Sequence, residues 1–279
     1  MPELPEVETI ARYLRDGKDG KPLVGQTILS AEVLWDKSVA EPTAAEFQQR
    51  ISGQSVREVS RRAKFLVLSL DRDTLLLHLR MSGDLRMEGE QGEDGQLRPT
   101  APHDRLVLHL AQGERLVFND PRKFGRAWLV GDTGAVFGSL GPEPLAEDFS
   151  AQDLYQRLQT YHRQLKPLLL DQKFLAGLGN IYTDEALHLA QLHPNQISTG
   201  VSAQQAGDLW RAIRAVLQEG IRRNGASIDW VYRGGDFQNS FRVYQRTGLP
   251  CPVCGTAIVR KTVGQRGTHY CPVCQLMPD

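Results

Sequence analysis

Two copies of one knuckle, Cys251-Pro-Val-Cys254 and Cys271-Pro-Val-Cys274, stand sixteen residues apart near the C-terminus and use every cysteine in the chain. Four thiolates at this spacing suit tetrahedral Zn²⁺. A pair of disulfides is the other way to use them, and the absence of a secretion signal argues against it. A stretch this short has little core of its own, so it should depend on the metal to fold. With all positions taken by sulfur, the expected cofactor is one structural zinc ion, and the chemistry must lie elsewhere. Between the knuckles, residues 262–269 have hairpin character, with Gly264 and Gly267 bracketing Gln265 and Arg266. A metal-pinned hairpin can hold its tip arginine towards a ligand; a solvated turn arginine is the plainer alternative.

Upstream, 279 residues suffice for more than one domain. No apolar run approaches the roughly 20 residues of a membrane span, so no membrane partner and a cytoplasmic location are expected. The net charge is zero, which is unusual for a nucleic-acid binder, but the total hides an asymmetry. Residues 211–279 hold ten Lys/Arg against four Asp/Glu. Arg57, Arg61, Arg62 and Lys64 form another cluster, broken only by Glu58. Patches of this kind are what a phosphate track needs, and are also what ordinary solvated faces look like.

Short strand-like runs at 27–35, 65–70, 74–79, 105–110, 116–118 and 127–130 alternate with turn residues, the pattern of an antiparallel β-sandwich. Residues 88–100 read as a mobile polar loop, and the Gly- and Pro-rich stretch 131–149 as a linker. The pattern then turns helical at 150–158, 165–170, 181–189 and 202–223. The fold class is therefore α+β and multidomain. A β-sandwich domain with an N-terminal helix spans 1–130, a helical domain 150–245 and the four-cysteine finger 246–279.

The chemistry-bearing candidates begin with Met1-Pro2-Glu3-Leu4-Pro5-Glu6-Val7-Glu8. Once Met1 is trimmed, Pro2 presents a secondary amine that can attack carbon and form an iminium ion. Glu3 is a carboxyl beside it, able to move protons. Pro5 suits the first turn of a helix whose buried face is Val7, Ile10, Ala11 and Leu14. Taken alone, these residues read as an ordinary Pro-started helix. Lys64, at the start of a strand, is either an edge lysine or an ammonium near the nucleophile. Met81 follows a strand end and is either core or a loop tip. Asp120-Pro121 opens and Gly125 closes a turn that should push Arg122 and Phe124 outward together, as a wedge between bases requires. Asn180, reached through Gly177 and Gly179, is placed to cap a helix and to meet phosphate.

PELPEVE at one end, the Phe174-to-Tyr182 glycine segment and the zinc hairpin at the other together resemble the formamidopyrimidine-DNA glycosylases, bacterial enzymes that excise oxidised purines. The resemblance covers the whole chain. It implies a helix–two-turn–helix element in the helical domain, damaged duplex DNA bound as a monomer in a cleft between domains, and joint glycosylase and lyase activity. It implies that Pro2 attacks the sugar, Glu3 protonates its ring oxygen and Lys64 holds a phosphate and assists strand cleavage. Met81, Arg122 and Phe124 would fill the hole left by a flipped base, with Arg122 on the orphaned cytosine. His103 would contact DNA, Lys166 and Asn180 would grip the strand around the lesion, and Arg266 would bind the lesion phosphate. Family members often carry a basic residue four positions before that lysine, where this chain has His162 followed by Arg163. Residues 226–241 lie where the family caps the flipped base. An endonuclease VIII-type enzyme for oxidised pyrimidines and a non-catalytic zinc-ribbon DNA-binding module are the alternatives.

Overall fold

The computed structural model describes residues 1–17, 21–92, 95–227 and 234–278. They fall into two compact units, one chiefly of Met1–Pro2 and Glu6–Gly138, the other of Glu3–Pro5, Ser139–Ala226 and Gly234–Asp279. In the first the chain runs α1 (Leu4–Asp16), β1 (Ile28–Val33), β2 (Val39–Glu41), α2 (Ala44–Ile51), β3 (Glu58–Arg62) and β4 (Phe65–Ser69). It continues through β5 (Thr74–His78), β6 (Asp84–Gly89), β7 (Asp104–Leu110), β8 (Glu114–Asn119), β9 (Arg126–Val130) and α3 (Gly134–Phe137).

Two sheets form, with strand orders β1-β7-β8-β6 and β2-β9-β5-β4-β3. Only β2 against β9 is parallel among these pairs. Leu66 faces Leu77 and Leu68 faces Leu75 across β4 and β5, so one register buries all four leucines. They join Leu106, Leu108, Leu110 and Phe118, and the Val7, Ile10, Ala11 and Leu14 stripe of α1, in one sandwich core. Removing such area from water is worth about 25 cal/mol per Å², which is why the helix stripe and the sheet leucines share a core.

Residues 88–100 depart from the expected free loop where they are described. The buried Arg115 guanidinium donates to the carbonyls of Arg98 and Pro99 at 2.7 and 3.0 Å and to Glu88 at 2.7 Å, tacking the segment down.

The second unit holds α4 (Ala151–Gln159), α5 (Leu165–Leu169), α6 (Asn180–Leu189), α7 (Ala203–Arg222), β10 (Val259–Val263) and β11 (Arg266–Tyr270). Capping boxes start α4 at Ser150 with Asp153 and α7 at Ser202 with Gln205. Helices α6 and α7 approach closely because Gly220 leaves room for Tyr182; a Cβ there would lie 2.5 Å from the ring. Residues 139–149, expected as linker, pack here instead: Arg214 donates to the carbonyls of Pro144 and Ala146 at 2.9 and 3.0 Å. Gly264 and Gln265 turn β10 into β11, both with positive φ, as a tight two-residue hairpin turn requires. Among the described residues no helix is long and apolar enough to cross a membrane.

Candidate active site

Helix α6 has no side-chain cap of its own: its N-cap residue is Gly179, and Asn180 is already inside the helix. The expectation that Asn180 caps it is therefore corrected. The cap comes from Glu3, whose two carboxylate oxygens accept the amides of Ile181 and Tyr182 at 3.0 and 3.4 Å. An anion at a helix start is favoured by the unpaired N–H groups and by the dipole. Gly179 is what admits it, since a Cβ there would stand 2.2 Å from Glu3 Cδ. Leu4 N–H donates to Gly177 O at 3.1 Å and fixes the backbone next to it. Glu3 is thus a buried, oriented acid and not a solvated terminal residue.

Around this carboxylate lies a second set of charges. Lys166 on α5 is completely buried and donates to Asp184 at 2.6 Å and to Gly267 O on β11 at 3.0 Å. Asn180 donates to the same carbonyl at 3.1 Å, and the other Asp184 oxygen accepts the His269 amide at 2.9 Å. Burial pushes the Lys166 ammonium below its ordinary pKa, while Asp184 and the Glu3 charge oppose that. Lys166, expected to grip a DNA strand, is thus placed inside the unit with these partners. Its side chain links β11 to α6, and Asn180 shares the task. Arg266 begins β11, paired with Val263 beside the turn, and its side chain is exposed. The tip itself packs on Pro167, whose Cγ would lie 2.7 Å from a Cβ on Gly264.

In the first unit Pro2 is buried and carries Met1 on its nitrogen. Lys64 is not within a strand but in the two-residue turn between β3 and β4, where Ala63 takes a φ of 54°. It too is mostly buried. Burial, then the charges of Arg80 and Lys64, hold His78 down at about 3, so its ring is neutral. Its Nδ1 accepts the Arg80 amide at 3.0 Å. The expected basic track at 57–64 is largely consumed within the unit. Arg57 pairs with Asp71 at 2.6 Å, and Arg61 with Glu8 at 3.2 Å.

The two turns expected to form a wedge are tied together by one acid. Asp120 accepts Ser82 Oγ at 2.5 Å on one oxygen and the Gly125 amide at 2.7 Å on the other. The Arg122 amide completes the link, 3.2 Å from Asp120 and 3.3 Å from Ser82. Gly83 and Gly125 both lie on Phe118, leaving 2.8 and 2.3 Å for a Cβ, so neither position admits a side chain. Met81, Arg122 and Phe124 are consequently all outward, with the Arg122 guanidinium 5.0 Å from the Phe124 ring centre. Lys123, in left-handed conformation, lays its ammonium 3.9 Å from the Trp35 ring centre. Sequence reading missed Asp120 and Trp35 as supports; the Asn-Asp-Pro signal for an Asx-type turn was the available clue to the first. His103 is exposed on the neighbouring loop with a φ of 76°, 3.3 Å from Arg105.

His162 and Arg163 are both exposed. Arg163 is paired with Asp171 at 2.8 Å, whereas His162, among the described residues, meets only a hydroxyl, Thr199, at 3.2 Å. Residues 228–233 of the expected capping loop, including Trp230 and Tyr232, lie outside the described residues. Gly235, in the same stretch, is demanded by packing, because a Cβ would come 2.1 Å from Gly225 O.

The four cysteine sulfurs lie within 4.8 Å of one another, with Cys251 to Cys274 at 3.9 Å and Cys254 to Cys271 at 3.5 Å. Tetrahedral Zn–S bonds of about 2.3 Å require sulfurs about 3.8 Å apart, so the cage fits the ion. The amides of Val253 and Cys274 point at Cys251 and Cys271 sulfur, each at 3.4 Å, the donors that thiolates need. These cysteines are a structural zinc site.

An acid held on the first amides of a helix, together with a four-cysteine zinc ribbon in the same chain, defines a class: zinc-ribbon proteins that pair a β-sandwich with a helical unit. Family models give the particular member. The formamidopyrimidine-DNA glycosylase N-terminal domain matches residues 1–127, the H2TH domain of the same proteins residues 140–231, and the zinc finger found in FPG and IleRS residues 248–276. Formamidopyrimidine-DNA glycosylases of Pelotomaculum thermopropionicum and Chloroflexus aurantiacus are 43% and 45% identical, over 99% of this chain and 99% and 98% of theirs. The wild-type Lactococcus lactis Fpg (MutM), solved with N7-benzyl-Fapy-dG DNA, superposes with a TM-score of 0.89 at 36% identity, over 99% of this chain and 100% of that one. MutM in complex with carbocyclic 8-oxo-G DNA gives 0.89 at 35%, with the same coverage. The chain belongs to the formamidopyrimidine-DNA glycosylase family.

Proposed function

We infer that this chain is a bifunctional repair enzyme that excises oxidised purines, 8-oxoguanine and formamidopyrimidines, from duplex DNA and cleaves the resulting abasic strand. A base inside a duplex is out of reach, so its nucleotide must be flipped out first. With Met1 removed, the Pro2 nitrogen lone pair bonds to C1′ as the bond to the damaged base breaks, the base leaving with the electron pair. Protonation of the ring oxygen, assigned to Glu3, opens the sugar and leaves an iminium. That cation acidifies the sugar: a C2′ proton is lost as the 3′-phosphate departs. Loss of a C4′ proton then expels the 5′-phosphate, and water hydrolyses the remaining iminium, freeing Pro2 and the sugar fragment and leaving a one-nucleotide gap. Lys64 and Arg266 steady the phosphates, while His103, Lys166, Asn180 and one of His162 or Arg163 are assigned to the strand. His162 is the better candidate, being free of an acidic partner in the salt-bridge pattern that occupies Arg163. The protein acts as a monomer in the bacterial cytoplasm, on the nucleoid.

The observation that carries this reading is the placement of Glu3, both oxygens fixed by the first amides of α6 one residue from the amine. Gly179→Ala tests it, since the added methyl must expel the carboxylate. Single-turnover base excision should fall roughly a hundredfold, as misplacement of a reacting group by about 1 Å can produce. Zinc content should be unchanged. An unaltered excision rate would remove Glu3 from the chemistry.

Discrimination between purine and pyrimidine lesions is read by assaying duplexes that carry 8-oxoguanine, formamidopyrimidine or thymine glycol. A preference for thymine glycol would support the endonuclease VIII-type alternative. Arg122→Ala should flatten the dependence of excision on the base opposite the lesion, about tenfold at the preferred cytosine for a lost base contact of 1–3 kcal/mol. A mutant that discriminates as well as the parent would assign that reading to another residue.

A further inference from the structure

We propose that His188 belongs to the zinc site as a positioning residue, its ring Nε2–H donating to the Cys251 thiolate and fastening the metal knuckle to the last turn of α6. The two groups are 63 residues apart in sequence, both buried, with Nε2 3.4 Å from Sγ. That distance matches the backbone N–H to sulfur contact made by Val253, so Cys251 receives two donors, one from each side of the knuckle boundary.

The other ring nitrogen decides the tautomer. Among the described residues, His188 Nδ1 is buried with no hydrogen-bond partner. A proton on Nε2 leaves Nδ1 as a bare lone pair and directs an N–H at sulfur. A proton on Nδ1 would bury an orphaned N–H and set the Nε2 lone pair against the sulfur lone pairs. Unpaired buried acceptors are tolerated better than unpaired buried N–H groups, so the first tautomer is the stable one.

The chemistry of the donor set gives the contact its use. Four thiolates around a dication carry excess negative charge, and donors to the sulfurs offset it and orient the ligands. His188 does this from an element outside the ribbon. Helix α6 therefore holds Glu3 at its first turn and the Cys251 sulfur at its last, so acid and metal knuckle share one rigid rod.

The test uses zinc-loaded full-length protein and a chromophoric zinc chelator. His188→Phe keeps a ring but has no donor, whereas His188→Gln retains an N–H near the Nε2 position. The phenylalanine variant should surrender zinc about ten- to a hundredfold faster, the range for losing an outer partner of a metal ligand. The glutamine variant should stay within about threefold of the parent on the same scale. Wild-type release from the phenylalanine variant overturns the proposal. So does equally fast release from both variants, which would assign the effect to ring packing. Should a variant fail to fold, ¹⁵N chemical shifts of the His188 ring in the zinc-loaded parent decide: a protonated Nε2 supports the contact, and an unprotonated Nε2 overturns it.

Discussion

Protein that keeps Met1 should give no borohydride-trapped complex with a lesion duplex, while protein beginning at Pro2 should be trapped covalently. With Met1 attached, the Pro2 nitrogen belongs to an amide, and its lone pair is delocalised into the carbonyl. It has no free pair for C1′ and cannot become an iminium. Removing a nucleophile outright costs many orders of magnitude, on the order of 10⁶ where it has been isolated, so trapping should vanish and not merely weaken. Pro2→Gly is a poor probe because glycine also offers an amine. An N-terminal extension that resists trimming is the better one, with intact mass confirming each species. Glu3 and the α6 contacts remain in such a protein, so lesion binding should survive when trapping is lost. A blocked protein that still traps would sink the proline mechanism.

Stripping zinc, or replacing Cys251 by alanine, should cost the protein its grip on DNA without melting the sandwich. The ribbon's own core is Val243, Ile258, Cys251 and Cys271, and half of those residues are zinc ligands. Structural zinc contributes apparent free energies of about 10–16 kcal/mol in small fingers, far more than so few side chains could supply. Loss of β11 then spreads to the buried charges. Lys166 and Asn180 lose the Gly267 carbonyl, and Asp184 loses the His269 amide. Affinity for a lesion duplex should drop a hundredfold or more, on the order of several lost phosphate contacts and their support. Arg266→Ala should weaken binding less, keep its zinc and lower the salt slope by about one. Metal content, affinity across a salt series and thermal unfolding separate these outcomes. Zinc-free protein that binds and cleaves like the holoprotein would refute the role given to the ribbon.

Residues whose contacts are local were readable in the sequence. The α1 stripe, the paired knuckles and the outward turn at Arg122 and Phe124 all follow from spacing and turn chemistry. Lys166 was not, because nothing near it in sequence shows Asp184 waiting on another helix. Asn180 was misread for a related reason: it has the right chemistry for a cap, but Glu3, 178 residues before Ile181, already fills the place. Strands β3 and β6 read as polar, and their order comes from pairing with β4 and β8. Arg86 adds a cross-strand link to Asp104 at 2.8 Å. Helix α2 did leave a local sign, Thr43 capping the Glu46 amide, with only Phe47 and Ile51 to make its apolar face.

Because Glu3 is seated by Ile181 and Tyr182, it must wait for a much later part of the chain before it reaches its place. At about 5–20 residues per second, the 178 residues between acid and amide take roughly ten to thirty-five seconds to synthesise. Throughout that interval the sandwich strands can pair and bury their leucines, yet the acid has no helix to cap. A chain cut short before α6 thus carries Glu3 without the amides that orient it. Synthesis of the α6 start is itself the step that seats the acid.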